Sequence, residues 1–243
     1  GEEHRELTGP SGKYTCEGGA SYSGDWQGTL KHGHGVQAWP DGGRYSGQWV
    51  RNKAHGQGRY EHADGDVYEG EWAEDRAHGH GVYWHIDGSK YEGQFLDDQQ
   101  EGDGIETWSD GAKFRGQYKA GVKHGHGLFC WADGSSYEGQ FCDSDLHGHG
   151  IYRWPGGKEH TGEWRRNQMN GRGTFKWADG RMYEGEYRDD LKDGHGIFRW
   201  PDGKSYDGQW RAGCQHGKGV VVEPTGVRRT GEWVNGEAKR WLA

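Results

Sequence analysis

A spacing of 23 residues governs this chain: Tyr22, Tyr45, Tyr68, Tyr91, Phe114, Tyr137, His160, Tyr183, Tyr206 and Arg229 occur one per interval without an insertion. So strict a period implies a tandem array in which one small supersecondary unit leans on the next, and it overrides the one or two globular domains that 243 residues would otherwise suggest.

The stretch GHGIFRWPDGKSYDGQW at 194–210 gives the form of the unit. Phe198 and Trp200 alternate with Ile197 and Arg199, then Tyr206, Gly208 and Trp210 alternate with Asp207 and Gln209, so two period-two segments flank Pro201-Asp202-Gly203. This pattern predicts a β-hairpin. Proline suits the second position of a type I turn and Gly203 the left-handed residue that closes a three-residue loop. That loop sets Phe198 opposite Tyr206 and puts Phe198, Trp200, Tyr206 and Trp210 on one face, where Gly194, Gly196 and Gly208 leave room for rings. Arg199, Asp207 and Gln209 take the solvent face, with Ile197 as its one apolar member.

Two aromatic columns follow from copying the unit. The first is Trp26, Trp49, Trp72, Phe95, Tyr118, Phe141, Trp164, Tyr187, Trp210 and Trp233; the second is Trp39, Trp108, Trp131, Trp154, Trp177 and Trp200, with His62 and His85 in the same slot. Pro40, Pro155, Pro201 and Pro224 share one turn position, and Asp-Gly recurs beside it. Short segments such as 211–216 return the chain so that each hairpin pairs with its successor. The expected fold is all-β, an elongated single-layer antiparallel meander of about ten hairpins, on the order of 90 to 100 Å long at ~4.8 Å per strand. Residues 1–11 are expected as a flexible amino-terminal segment of a piece cut from a longer array, 12–233 as the array, and 234–243 as a carboxyl-terminal cap or dimer contact.

The motif Tyr-x-Gly-x-Trp, then Gly-x-Gly and an Asp-Gly turn, is carried by YEGEW at 68–72, YEGQF at 91–95 and 137–141, and YEGEY at 183–187. It resembles the MORN repeat family over roughly residues 12 to 233, with departures at His160, Arg229 and Gly156-Gly157. The resemblance implies a non-enzymatic scaffold in cytoskeletal or membrane-adjacent assemblies, with a phospholipid-binding membrane-targeting module as the alternative.

Composition narrows the classes. With 48 glycines, 30% hydrophobic residues and a formal charge of −8, the chain is a poor nucleic-acid binder, since phosphate contacts need clustered Lys and Arg. No apolar run approaches the roughly 18 residues of a membrane-spanning helix, and Cys16, Cys130, Cys142 and Cys214 are not spaced as a secreted disulfide framework. A cytoplasmic location follows as the expectation. Acidic residues are scattered by the repeat and mark no catalytic neighbourhood.

Eleven of the fifteen histidines, among them His32, His55, His78, His124 and His147, lie in the loop columns. Equivalent positions are roughly 9 to 10 Å apart, too far to share one ion, so their first reading is structural. Cys214 and His216 form a Cys-x-His pair that a two-fold axis would double into a zinc-type set. Arg165, Arg166, Arg228, Arg229, Lys239 and Arg240 are the sparse cations available to a lipid headgroup. A single-layer sheet leaves its aromatic face without a second layer, so Trp26, Trp39, Trp49, Trp72, Trp108, Trp131, Trp154, Trp164, Trp177, Trp200, Tyr206 and Trp210 are expected to line a groove for a protein partner. Mutual covering of the rings is the competing structural reading. At the carboxyl end the pattern decays, and Val220, Val222, Trp233, Trp241 and Leu242 are the expected contacts of a two-fold antiparallel homodimer.

Overall fold

The computed structural model describes residues 13–15 and 18–242, so the segment 1–11 and Cys16 lie outside the described residues. The chain divides into two compact units, Gly1–Val122 and Lys123–Ala243, and every described helix or strand element is a strand. The first unit runs through β1 (Lys13–Thr15), β2 (Ser21–Gln27), β3 (Leu30–Ala38), β4 (Arg44–Val50), β5 (Lys53–Glu61), β6 (Val67–Ala73), β7 (Arg76–Trp84), β8 (Lys90–Leu96), β9 (Gln99–Thr107) and β10 (Lys113–Lys119). The second runs through β11 (Val122–Cys130), β12 (Ser136–Cys142), β13 (Asp145–Arg153), β14 (Glu159–Arg165), β15 (Gln168–Lys176), β16 (Met182–Arg188), β17 (Leu191–Arg199), β18 (Ser205–Arg211), β19 (Cys214–Val222), β20 (Arg228–Val234) and β21 (Glu237–Trp241). In each unit, successive strands pair antiparallel, as in a meander.

The proline-bearing turn takes the expected form. Phe198 pairs with Tyr206, Trp200 N–H donates to the Lys204 carbonyl at 2.8 Å, and Gly203 N–H donates to the Trp200 carbonyl at 3.1 Å. Gly203 sits at φ 91°, the left-handed region that glycine enters without cost. Asp202 Oδ1 accepts the Lys204 N–H at 2.9 Å, which explains why aspartate precedes the glycine.

The other connection is a tight two-residue turn that the sequence does not announce, because most copies lack glycine. Arg51-Asn52, Asp97-Asp98 and Asp189-Asp190 all take positive φ, between 49° and 72°. This is the geometry of a type I′ turn, and it costs on the order of 1 kcal/mol per non-glycine residue. A latch to the preceding turn of the array offsets it. Asn52 N–H donates to the Lys31 carbonyl at 3.0 Å, while Lys31 N–H donates to Asn52 Oδ1 at 2.8 Å. Asp75 and Ala54, Asp98 and Ala77, Asn167 and Leu146, and Asp190 and Met169 repeat the pair, with side-chain bonds of 2.7 to 2.8 Å. In two turns with glycine at the second position a carboxylate arrives from elsewhere: Glu101 accepts the Ala120 N–H at 2.9 Å and Asp193 the Ala212 N–H at 3.3 Å.

Tyrosine and glycine form the core. Each column tyrosine lies flat over two glycines, so a Cβ on Gly196 would meet the Tyr183 hydroxyl at 2.3 Å and one on Gly58 the Tyr45 hydroxyl at 2.3 Å. Its hydroxyl donates to the carbonyl three residues on, as from Tyr22 to Asp25 at 2.9 Å and from Tyr206 to Gln209 at 2.9 Å. Gly194 departs from its expected role as a ring socket. The register shift between Gly185 and Tyr187 puts it at φ 97°, against the Glu186 carboxylate rather than a ring. That carboxylate accepts the His195 N–H at 3.2 Å, and Asp25, Gln48, Glu71, Gln94, Gln140 and Glu163 serve the same purpose in their repeats. Ile197 is no exception on the solvent face either: Val36, Val82, Ile105, Leu128 and Ile151 occupy its column at 23-residue spacing.

Candidate functional site

The two aromatic columns separate by burial. Tyr206 is fully buried, and Trp49, Trp164 and Trp210 are 3%, 5% and 8% exposed. Their indole N–H groups donate to glycine carbonyls across the sheet, Trp49 to Gly35 at 3.1 Å and Trp210 to Gly196 at 3.0 Å. Of the residues expected to line a groove, these four are the ones packed into the core. Trp26 and Trp72 share their row and are half-buried. Trp39, Trp108, Trp131, Trp154, Trp177 and Trp200 form an outer row, also half-buried.

In the first unit the outer row includes His62 and His85, and there the aromatic face opens into a trough of about 640 Å³. Its floor is Tyr45, Trp49, Tyr68, Trp72 and Phe95, one wall is Trp39, Tyr60, His62 and Tyr83, and the other is the latched turns with Asn52, Asp75 and Asp98. Trp39 and Tyr60 meet edge to face at 5.6 Å, and Tyr60 and His62 do so at 4.4 Å. Nearby, Asp66 accepts from the Ile86 N–H, the Tyr83 hydroxyl and the His85 ring at 2.9 to 3.0 Å. The Ile86 backbone bond leads in lowering its pKa. Three donors hold this carboxylate in a turn-capping arrangement.

The second unit has Trp131, Trp154, Trp177 and Trp200 in the outer row. They interleave with Phe129, Tyr152, Phe175 and Phe198 in a ladder of stacked or tilted rings with centroids 4.3 to 5.4 Å apart. At one end of the ladder lies Lys192. Its Nζ is 4.9 Å from the Trp210 ring centroid, 5.0 Å from Phe198, 5.2 Å from Trp177 and 5.3 Å from Tyr183. Burial, and then the Arg181 guanidinium, lower its pKa from the ordinary lysine range. Among the described residues no carboxylate forms an ion pair with it. The cage is invisible in the sequence because its members come from β16, β17, β18 and the 177–181 turn. Lysine immediately before the Asp193-Gly194 step was the only available signal.

The residues expected at a dimer end are partly covered within the chain. Trp233 is 4% exposed, between Tyr206 at 5.0 Å and Trp241 at 5.7 Å. Residues 237–241 form an added strand on β20, and Leu242 N–H donates to the Thr230 carbonyl at 2.8 Å. Val220 and Val222 are half-buried, whereas Val221 packs with Tyr206, Trp210 and Trp233. Trp241 remains 49% exposed. Cys214 is exposed and no third donor gathers at Cys214 and His216 among the described residues; the one group of three there is His124, Cys142 and Asp143. No described helix is long and apolar enough to cross a membrane.

Comparison with solved structures finds the TCP10 domain of Danio rerio CPAP in complex with a peptide of Danio rerio STIL. It is 11% identical, covers 95% of this chain and 97% of that chain, and has a TM-score of 0.45. The TCP10c domain of Drosophila melanogaster Sas-4 is 13% identical over 64% of this chain and 93% of that chain, with a TM-score of 0.36. No curated protein matches the chain. The MORN repeat model matches nine consecutive times, at 22–44, 45–67, 68–90, 91–113, 114–136, 137–159, 160–180, 183–205 and 206–227. With glycine-seated tyrosines in column after column beneath those matches, the chain belongs to the MORN repeat family.

Proposed function

We propose that this chain is a non-enzymatic scaffold whose aromatic face receives an apolar peptide segment of a protein partner, with an acidic side chain of that segment seated at Lys192. The observation that carries this reading is the ammonium itself. A lysine enclosed by aromatic rings without a carboxylate is destabilised by desolvation, and a partner's carboxylate would relieve that cost on binding. Half-buried tryptophans beside it supply the apolar contact that dominates such interfaces.

Selection of displayed peptides against the full chain tests the reading. Recovered peptides are expected to pair aromatic or aliphatic residues with Asp or Glu, and to bind Lys192→Met at least tenfold more weakly at an unchanged melting temperature. Equal binding to Lys192→Met would overturn it.

Self-association is the second part of the proposal, supported by the exposed Trp241 on β21. Light scattering of the chain and of Trp241→Ser decides it, with a dimer expected to weaken in the variant and a monomer in both cases contradicting it. Phospholipid binding draws less support, because Arg240 is held by Glu232 at 3.0 Å and Lys239 pairs with Glu237 at 2.5 Å. Flotation with acidic liposomes distinguishes that alternative. A cytoskeletal or membrane-adjacent cytoplasmic assembly is the setting such a scaffold would serve.

A further inference from the structure

Among the described residues, one repeat carries a donor set found in no other. Its members are His124 on β11, Cys142 at the end of β12, and Asp143 at the first position of the β12–β13 turn, with all three ligand atoms within 4.8 Å of one another.

Register explains how they meet. Gly125 pairs with Phe141, and one step further along the same ladder places His124 opposite Cys142. In the other repeats with histidine in this slot, the same arithmetic puts His32, His55, His78, His147 and His216 opposite Val50, Ala73, Leu96, Arg165 and Val234. None of these is a metal donor. Asp143 belongs to the set because the first turn residue reaches back to this slot. In a later repeat Asn170 Nδ2 donates to Asp189 Oδ1 at 3.3 Å across the same separation.

A second observation comes from the imidazole. His124 Nδ1 is buried without a hydrogen-bond partner, as are those of His32, His78 and His216, so the orphaned nitrogen belongs to the histidine column, and among the described residues only in this repeat does the ring meet a thiol and a carboxylate. The latch supplies a third: Ser144 holds the Lys123 N–H at 3.2 Å, whereas asparagine or aspartate elsewhere does so at 2.7 to 2.8 Å.

We propose that His124, Cys142 and Asp143 bind one zinc-class divalent ion, which clamps this turn to β11 where its own latch is long. Thiolate with imidazole selects Zn²⁺ or Co²⁺ over the oxygen-preferring Mg²⁺ and Ca²⁺. Ligands around such an ion lie roughly 3 to 4 Å apart, so the three side chains close by under about 2 Å, and exposed Asp143 is free to move. Three protein ligands leave a fourth position for water or for a partner's side chain. Binding replaces the Cys142 S–H bond with a sulfur–metal bond and releases that proton to solvent.

Titration of the reduced full chain with Co²⁺ tests the site. The expected result is a thiolate-to-cobalt charge-transfer band that saturates at one equivalent, is bleached by Zn²⁺, persists in Cys130→Ser and Cys214→Ser, and is lost in Cys142→Ser. Asp143→Asn and His124→Ala are expected to weaken Co²⁺ by tenfold or more, with melting curves of the metal-free variants confirming that they fold. Zn²⁺ should also raise the melting temperature of the unaltered chain but not of Cys142→Ser. Absence of a charge-transfer band, a band that survives Cys142→Ser, or one that follows Cys214 would overturn the proposal.

Discussion

The two units share one inner column and differ in the outer one. Tyr45, Tyr68, Tyr183 and Tyr206 pack edge to face against the ring four residues on, with centroids 5.0 to 5.4 Å apart in both units. The outer rows diverge: His62 and His85 interrupt the tryptophans of the first unit, where a trough opens. Tryptophans and flanking rings form the ladder of the second. What holds the sheet together is therefore copied from repeat to repeat, and what the aromatic face presents is varied.

If that division is right, truncating the inner column should be costly in either unit. Tyr45→Ala and Tyr206→Ala each remove a side chain that is 1% exposed or less, and each should lose about 3–5 kcal/mol in denaturant melts. A loss confined to one unit would break the equivalence.

His160 is the place where the inner column itself is weakened. It is fully buried, neither ring nitrogen has a partner, and burial lowers its pKa to about 4. The neutral ring is favoured in the folded state, so stability is intact above the unfolded value near 6.5 and declines as pH falls from there toward 4. The decline reaches about 3 kcal/mol at ~1.4 kcal/mol per unit of pKa. His160→Tyr should raise stability and remove this slope, measured as melting temperature against pH. A slope that persists in the variant would assign it to other groups.

Smaller effects sharpen the comparison. Gly58→Ala and Gly196→Ala push a methyl into Tyr45 and Tyr183, and each should cost about 1–3 kcal/mol, equally in the two units. Ser144→Asn should shorten the long latch and gain about 0.5–1 kcal/mol, read as a rise in denaturant midpoint.

Much of this was legible in the spacing alone. Tyrosine over glycine and proline beside Asp-Gly each use a residue type with few other roles, so the hairpin, its register and the aromatic face could be read from 194–210. The latched turns could not, since Arg51-Asn52 and Asp143-Ser144 resemble ordinary polar loops. Their positive φ is sustained by bonds to residues 21 positions away. Gly194 misled for a related reason: the bulge in β16 rotates it from ring to carboxylate. His124 and Cys142 were visible as residues, but their meeting depends on a cross-strand register that becomes informative only once the facing residues of all repeats are aligned.

The division between the columns is tested most directly by paired denaturant melts of Trp49→Ala and Trp39→Ala, two tryptophans of the same first-unit cluster. Trp49, packed and bonded to the Gly35 carbonyl, should cost about 3–5 kcal/mol, and Trp39, on the trough wall, about 1 kcal/mol. Equal losses for the two would contradict the account, because the outer row would then be as much core as the inner.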